Sequence, residues 1–158
     1  MPPLKPPALD PDTVPARRSS TAYPEPLRAA VAGRLKQALG DAVGVRNFGV
    51  NLVRLLPGAA SALRHWHERQ DEFVYVLEGV LTLVTDAGEH RLTPGMAAGF
   101  PAGVADGHHL VNRSDRDAVY LEIGDRSPGD VYHYSDVDLH GWATPAGAHF
   151  THKDGRPW

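Results

Sequence analysis

His65 and His67 stand two positions apart, Glu72 follows shortly after, and His108 and His109 lie further along the chain. Imidazole nitrogens and carboxylate oxygens are the donors that first-row divalent ions take. Residues two apart in a strand project to one side of a sheet, so an extended segment makes His65 and His67 a chelating pair and turns Trp66 away. Glu72 opens the next apolar run after Glu68-Arg69-Gln70-Asp71, and a hairpin there returns its carboxylate to the imidazoles. By the same alternation His108, Leu110 and Asn112 share one face while His109 and Val111 take the other; the alternation does not say which histidine points inward. The chain contains no cysteine, which excludes disulfides, thiolate nucleophiles and sulfur-rich zinc sites. Any metal here is held by nitrogen and oxygen.

The elements that must position these groups are short. From residue 44 onward, apolar runs at 48–56, 61–67, 72–77, 81–85, 89–92, 96–100, 108–112 and 118–123 alternate with Gly and Pro turns such as Pro57-Gly58 and Thr93-Pro94-Gly95. Closely spaced strands without long intervening helices predict an all-β antiparallel sandwich or barrel. Upstream, Leu27, Val31, Leu35 and Leu39 recur at four-residue spacing, predicting a short N-terminal helix that stops at Gly40. Residues 1 to about 23 are rich in Pro, Arg and Ser and read as a mobile or strap-like tail. The expected division is tail and helix over 1–40, then a barrel with a C-terminal extension over 41–158.

A chain of 158 residues fits one domain, and its 16 Gly and 14 Pro favour a turn-rich fold over a helical bundle. The formal charge of -3 leaves no basic footprint, so nucleic acid is not an expected partner. The start Met-Pro-Pro-Leu-Lys-Pro-Pro has no secretion-signal core, and no stretch approaches the roughly 18 to 20 apolar residues that span a bilayer. A soluble cytoplasmic protein with no membrane partner is the expectation.

The spacing of these residues closely resembles the two signature motifs of the cupin superfamily. The first appears as Gly58, His65, His67, Glu72 and Gly79, with one extra residue between Gly58 and His65. The second appears as Gly95, Pro101, Gly103, His108 and Asn112, with four residues between Gly103 and His108 where the family usually has two. The intact His-x3-Asn spacing carries the fourth ligand onto His108 rather than His109. The resemblance covers residues 44 to 125 or so and implies a double-stranded β-helix (a jelly-roll, or cupin, barrel) with a metal near one end.

That resemblance implies one divalent ion per chain on His65, His67, Glu72 and His108, with Mn, Fe, Zn, Ni or Co all compatible with the donors. Such a site leaves positions open for a small oxygen-bearing metabolite. Isomerase, dioxygenase, decarboxylase and lyase chemistry are the family's candidates; a non-catalytic module that binds or senses a small molecule is the alternative. Pairing into a homodimer is a further family expectation, and the β-forming run 73–83 needs covering.

Other residues receive plainer readings. Trp66, Phe73, Tyr75 and Leu77 are expected to pack on the side away from the ligands, Phe100 in the core and Asn112 at its strand end. His90, His133, His140, His149 and His152 lack ligand spacing and read as surface or hydrogen-bonded residues. Tyr120 and Glu122 share one face of a strand, Val119, Leu121 and Ile123 the other, and either set could face a cavity. Arg54 is a candidate for a substrate carboxylate, and Gly124-Asp125-Arg126 reads as a solvated turn.

Overall fold

The computed structural model describes residues 4–19 and 21–158. Its larger sheet is antiparallel, in the order β1 (Arg17–Arg18), β2 (Arg34–Ala38), β3 (Phe48–Leu55), β10 (Ala118–Asp125), β5 (Glu72–Glu78) and β8 (Ala97–Phe100). A second sheet runs β13 (Gly147–Thr151), β12 (His140–Thr144), β11 (Val131–Tyr134) and β4 (His65–His67). A third runs β7 (Gly88–Leu92), β6 (Leu81–Thr85) and β9 (His109–Val111). Antiparallel bridges Ala60↔Val111 and His65↔His108 join the two smaller sheets into one wall. The result is the expected all-β double-stranded β-helix.

Period-two alternation explains the core. Val74 and Val76 of β5, Leu81 and Leu83 of β6, Val53 and Leu55 of β3, and Tyr120 of β10 are buried together between the walls. A smaller cluster of Tyr23, Val31, Tyr134 and Leu139 closes the barrel under the N-terminal segment. The turn after β5 depends on Gly79, whose φ of +74° lies in the left-handed region and whose added Cβ would sit 2.5 Å from the Asp117 carbonyl oxygen.

The helix expected over residues 27–39 does not form. Only Leu27–Val31 winds, as a 3-10 turn; the chain then extends into β2, and Leu39–Ala42 makes one α-helical turn, α1, with Gly40 inside it rather than after it. Pairing decides this: β2 meets β3 from Arg34↔Leu55 to Ala38↔Asn51, filling backbone groups that a helix would leave open on β3. Gly33 permits the approach, since a Cβ there would lie 2.6 Å from that of Ala59. The described part of the tail lies as a strap along the sheet: β1 pairs with β2, and Gln37 donates to the carbonyls of Pro11 and Val14, each at 2.8 Å. Residues 1–3 and Ser20 of that tail lie outside the described residues.

Two further expectations change. The run 61–67 is extended only over β4, because residues 61–64 turn to bring Arg64 onto Asp136, Asp86 and the Gly107 carbonyl. Phe73, Tyr75 and Leu77 do point away from the ligands, but they are exposed at 42%, 39% and 39% instead of packing. Strands β11 to β13 were not signalled by the apolar runs, because they carry His, Gly and Trp in place of aliphatic alternation.

A substitution pair tests the Gly79 argument. Gly79→Ala should lower stability by about 2 kcal/mol or more, from backbone strain plus the clash. Gly88→Ala, with φ of +129° and nothing within 4 Å of the added Cβ, should cost strain alone. Equal shifts in urea midpoint would refute the close-approach explanation.

Candidate metal centre

β4 projects His65 and His67 to one side, and β5 begins with Glu72 opposite them. His65 and His108 exchange both backbone hydrogen bonds, His108 N–H to His65 O at 2.9 Å and His65 N–H to His108 O at 3.2 Å. Directly opposed residues of an antiparallel pair project to the same face, so the His108 ring joins that of His65. His109 is turned the other way, its Nδ1 donating to the Ala62 carbonyl at 2.9 Å. The longer loop before His108 is tied down at Asp106, which accepts from the Asp86 N–H at 2.7 Å.

The candidate donor atoms converge on one carboxylate oxygen. Oε2 of Glu72 lies 2.8 Å from His108 Nε2, 3.3 Å from His67 Nε2 and 3.7 Å from His65 Nε2. His65 Nε2 and His67 Nε2 are 3.0 Å apart. The other ring nitrogens are pinned: His65 Nδ1 donates to the Leu63 carbonyl at 2.7 Å, and His67 Nδ1 to Asp130 Oδ2 at 2.5 Å. Asp130 is fully buried and also accepts the Arg69 N–H at 2.8 Å. Phe100 packs on the core and stacks on His108 with centroids 3.6 Å apart and planes parallel within 1°.

His65, His67 and Glu72 fit a divalent ion. Donors about 2.1 Å from a metal lie roughly 3.0 to 3.4 Å from one another in octahedral or tetrahedral arrangements. The spacings just given fall around that range, and His65, His67 and Glu72 together keep their donor atoms within 4.8 Å. Two imidazole nitrogens facing each other also need either a shared proton or a cation between them. Asp130 behind His67 is the carboxylate–histidine arrangement that fixes a ligand's tautomer and raises its basicity.

Burial disfavours the charged form of His65 and lowers its pKa to about 4. Burial acts the same way on His67, yet its bonds to Glu72 and Asp130 outweigh it and raise the pKa to about 9. Burial opposes ionisation of Glu72, but His108, His67 and His65 hold its carboxyl well below the usual range.

Beside this cluster lies a cavity of about 190 Å³. Tyr120 and Glu122 are the inward-facing pair of β10, which answers the choice that alternation left open. Arg34 and Lys36 enter from β2; Lys36 Nζ meets Glu122 Oε1 at 2.6 Å, and Asn51 donates to the same oxygen at 3.2 Å. Sequence reasoning missed Arg34 and Lys36 because the Leu27–Leu39 stripe read as a helix; the alternation Arg34-Leu35-Lys36-Gln37 was the competing signal. It missed Asp130 because a lone acid in Ser127-Pro128-Gly129-Asp130 has no motif. Arg54 does not reach the cavity; it pairs with Asp117 at 3.2 Å on the outer face. Asn112 is structural, donating to the carbonyls of Leu55 and Arg116 at 2.8 and 2.7 Å. Of the other histidines, His133 bonds Glu68 and stacks on Trp66, and His152 bonds Asp138.

Comparison with known proteins adds to this geometry. The model of the cupin domain family matches residues 51–124. A crystal structure from Silicibacter pomeroyi, described as a sugar phosphate isomerase from a cupin superfamily, is 50% identical, covers 96% of each chain and has a TM-score of 0.92. A putative sugar phosphate isomerase from Acidithiobacillus ferrooxidans is 32% identical over 80% of each chain, with a TM-score of 0.73. The polyketide cyclase RemF from Streptomyces resistomycificus, 21% identical over 82% of this chain and 85% of its own, with a TM-score of 0.66, shares the fold. A search of curated proteins finds no match.

In chelator-treated protein, imidazole NMR should find His67 titrating near 9 and His65 near 4. Because the folded pKa of His67 lies above the ordinary histidine value of about 6.5, its contribution to stability is complete below that pH and lost as pH rises through about 9. Asp130→Asn should move the His67 titration downward; an unchanged midpoint would remove Asp130 from this role.

Proposed function

The chain belongs to the cupin superfamily, and on that premise we propose that it is a metal-dependent enzyme acting on a small oxygen-bearing metabolite, of the sugar phosphate isomerase kind. One observation carries the reading: three Nε2 atoms, from His65, His67 and His108, approach a single oxygen of Glu72 at the mouth of a polar cavity. These four residues hold one divalent ion per chain. When bound, the ion supplies Lewis-acid polarisation of a substrate oxygen.

The chain's own residues supply the rest. Asp130 and the Leu63 carbonyl keep His67 and His65 with Nε2 turned inward. Phe100 holds the His108 ring flat and keeps bulk water from that side. Interconverting a carbonyl and a neighbouring carbinol moves one proton between the adjacent carbons and one between their oxygens, and a carboxylate in the cavity serves the carbon-to-carbon transfer. Glu122 is placed for it, oriented by Lys36 and Asn51. The names of the two solved relatives support an aldose or ketose phosphate as the substrate class.

The protein pairs with a second copy in the same reading. β5 lies inside its sheet, between β10 and β8, so its edge is already used. Its outer face instead exposes Phe73, Tyr75 and Leu77, with Met96 46% exposed beside them. A contiguous apolar sheet face of this kind marks an association surface. Tyr75→Glu should convert a dimer to a monomer in analytical ultracentrifugation, while a wild-type monomer would end the proposal.

Metal counted per chain after purification without a nickel column tests the centre. His65→Ala and His67→Ala should each lose most of the ion, and His108→Ala should lose it while His109→Ala keeps it. Full occupancy in His108→Ala would remove that residue from the set. Below pH 9 or so, binding must displace the His67 proton, so affinity should rise about tenfold per pH unit with one proton released. With the metal in place, a panel of aldose and ketose phosphates followed by NMR should show interconversion that Glu122→Gln slows by about 10²-fold or more. Saturable binding without turnover would favour the non-catalytic binding module.

A further inference from the structure

The cavity has a second polar end that the metal cluster does not use. It is built from the inner face of the larger sheet, where register sets the residues in rows: Arg34 stands beside Leu55 and Ala118, Lys36 beside Val53 and Tyr120, and Asn51 beside Glu122 and Val74. Arg34 is 7% exposed, an uncommon place for a guanidinium, and one of its amino groups donates to the Ser61 carbonyl. Lys36 keeps about a quarter of its side chain open and is bound to Glu122. Tyr120 is fully buried, and its hydroxyl lies near Ser61 with no well-formed hydrogen bond.

A buried hydroxyl without a well-formed hydrogen bond is destabilising unless a ligand completes it. Two cations, Arg34 and Lys36, and one carboxylate, Glu122, line this end. Fixed cations and a hydroxyl donor in a shielded cavity are the chemistry that recognises an oxyanion. We infer that Arg34, Lys36 and Tyr120 form an oxyanion subsite that takes the anionic group of the ligand, opposite the end held at the metal. The inference rests on reading the cavity as the ligand site, and it adds the residues that select an anionic substrate.

Reach is consistent with this division. Glu122 pairs with Val74, so it is a diagonal neighbour of Glu72 across β10 and β5, with about 7–8 Å between their Cα atoms. Lys36 contacts Glu122 from the far side. A ligand several carbons long, with an oxygen at the metal cluster, extends past Glu122 and places its other end by Lys36. Phosphate ester and carboxylate share the required chemistry, and the probe distinguishes them.

The test titrates the full-length protein with inorganic phosphate and, separately, with malonate, by isothermal calorimetry, alongside a metal count for every sample. Both metal-loaded and chelator-treated protein are used, so that an anion bound by the ion itself is recognised by its loss on chelation. Loss of Arg34 would leave a hole in the core, so the test stands on Lys36→Met and Tyr120→Phe, with Arg54→Met as a control on the outer face. Anion binding should persist after chelation, weaken at least tenfold in Lys36→Met and several-fold in Tyr120→Phe, and be unchanged in Arg54→Met, with metal content equal in all. Tighter phosphate than malonate assigns a phosphate ester; the reverse assigns a sugar acid. Anion binding that vanishes with the metal, or that Lys36→Met leaves intact, overturns the subsite while the metal centre stands. Anion binding of the expected pattern in a chain that takes up no metal would keep the subsite and remove the metal centre.

Discussion

The candidate centre hangs on one backbone pairing. His65 and His108 belong to segments far apart in sequence, and the two hydrogen bonds they exchange stitch the sheet containing β4 to the sheet containing β9. The same pairing forces both side chains to one face, because opposed residues of an antiparallel pair always share a side. Fold closure and the placement of these two candidate donors are therefore a single event. A slip of one residue would send His109 inward and open the seam, which explains why the loop before His108 is anchored by Asp106 and by the Arg64 bond to Gly107.

Around that pairing the site is assembled in layers of decreasing local control. β4 needs only its own alternation to aim His65 and His67. Glu72 needs the short connection from β4 and the pairing of β5 with β10 and β8. Asp130 arrives from the segment before β11, fully buried, and is stabilised there by the Arg69 N–H and by the His67 ring. A buried carboxylate without such partners would be costly, so Asp130 and His67 hold each other in place. The opposed pKa directions of His65 and His67 follow from burial set against partners: Glu72 first and Asp130 second both hydrogen-bond His67, whereas of these carboxylates His65 has only the charge of Glu72 at 3.7 Å.

The N-terminal segment is part of the cavity rather than an appendage. β2 extends the larger sheet and carries Arg34 and Lys36 to its inner face, while Tyr23 packs edge-on against Tyr134, which itself lies against His65. The barrel alone would offer the candidate donor cluster with Ser61, Tyr120, Asn51 and Glu122 as its polar groups and no cation facing them. With the strap in place, the same cavity has a cationic end and a carboxylate held between Lys36 and Asn51. That asymmetry gives the cavity a cationic end opposite the histidine cluster.

The sequence alone determined the strand runs between residues 48 and 123 and an all-β antiparallel fold, because period-two alternation and glycine turns are local signals. The double-stranded β-helix and the candidate donors His65, His67, Glu72 and His108 as a set came from the resemblance to the cupin motifs, since alternation left His108 and His109 open. Gly79 shows the limit of such signals: its motif position was readable, but the Asp117 carbonyl that forbids a Cβ there was not. Only the tertiary structure decided that residues 34–38 are a strand. The four-residue stripe of Leu27, Val31, Leu35 and Leu39 is a sound helical signal in isolation, and the open edge of β3 overrode it by offering backbone partners. With that went Arg34 and Lys36. Asp130 and the inward turn of Tyr120 and Glu122 were likewise fixed by long-range pairing, since neither a lone acid nor an alternating strand says which wall it will face.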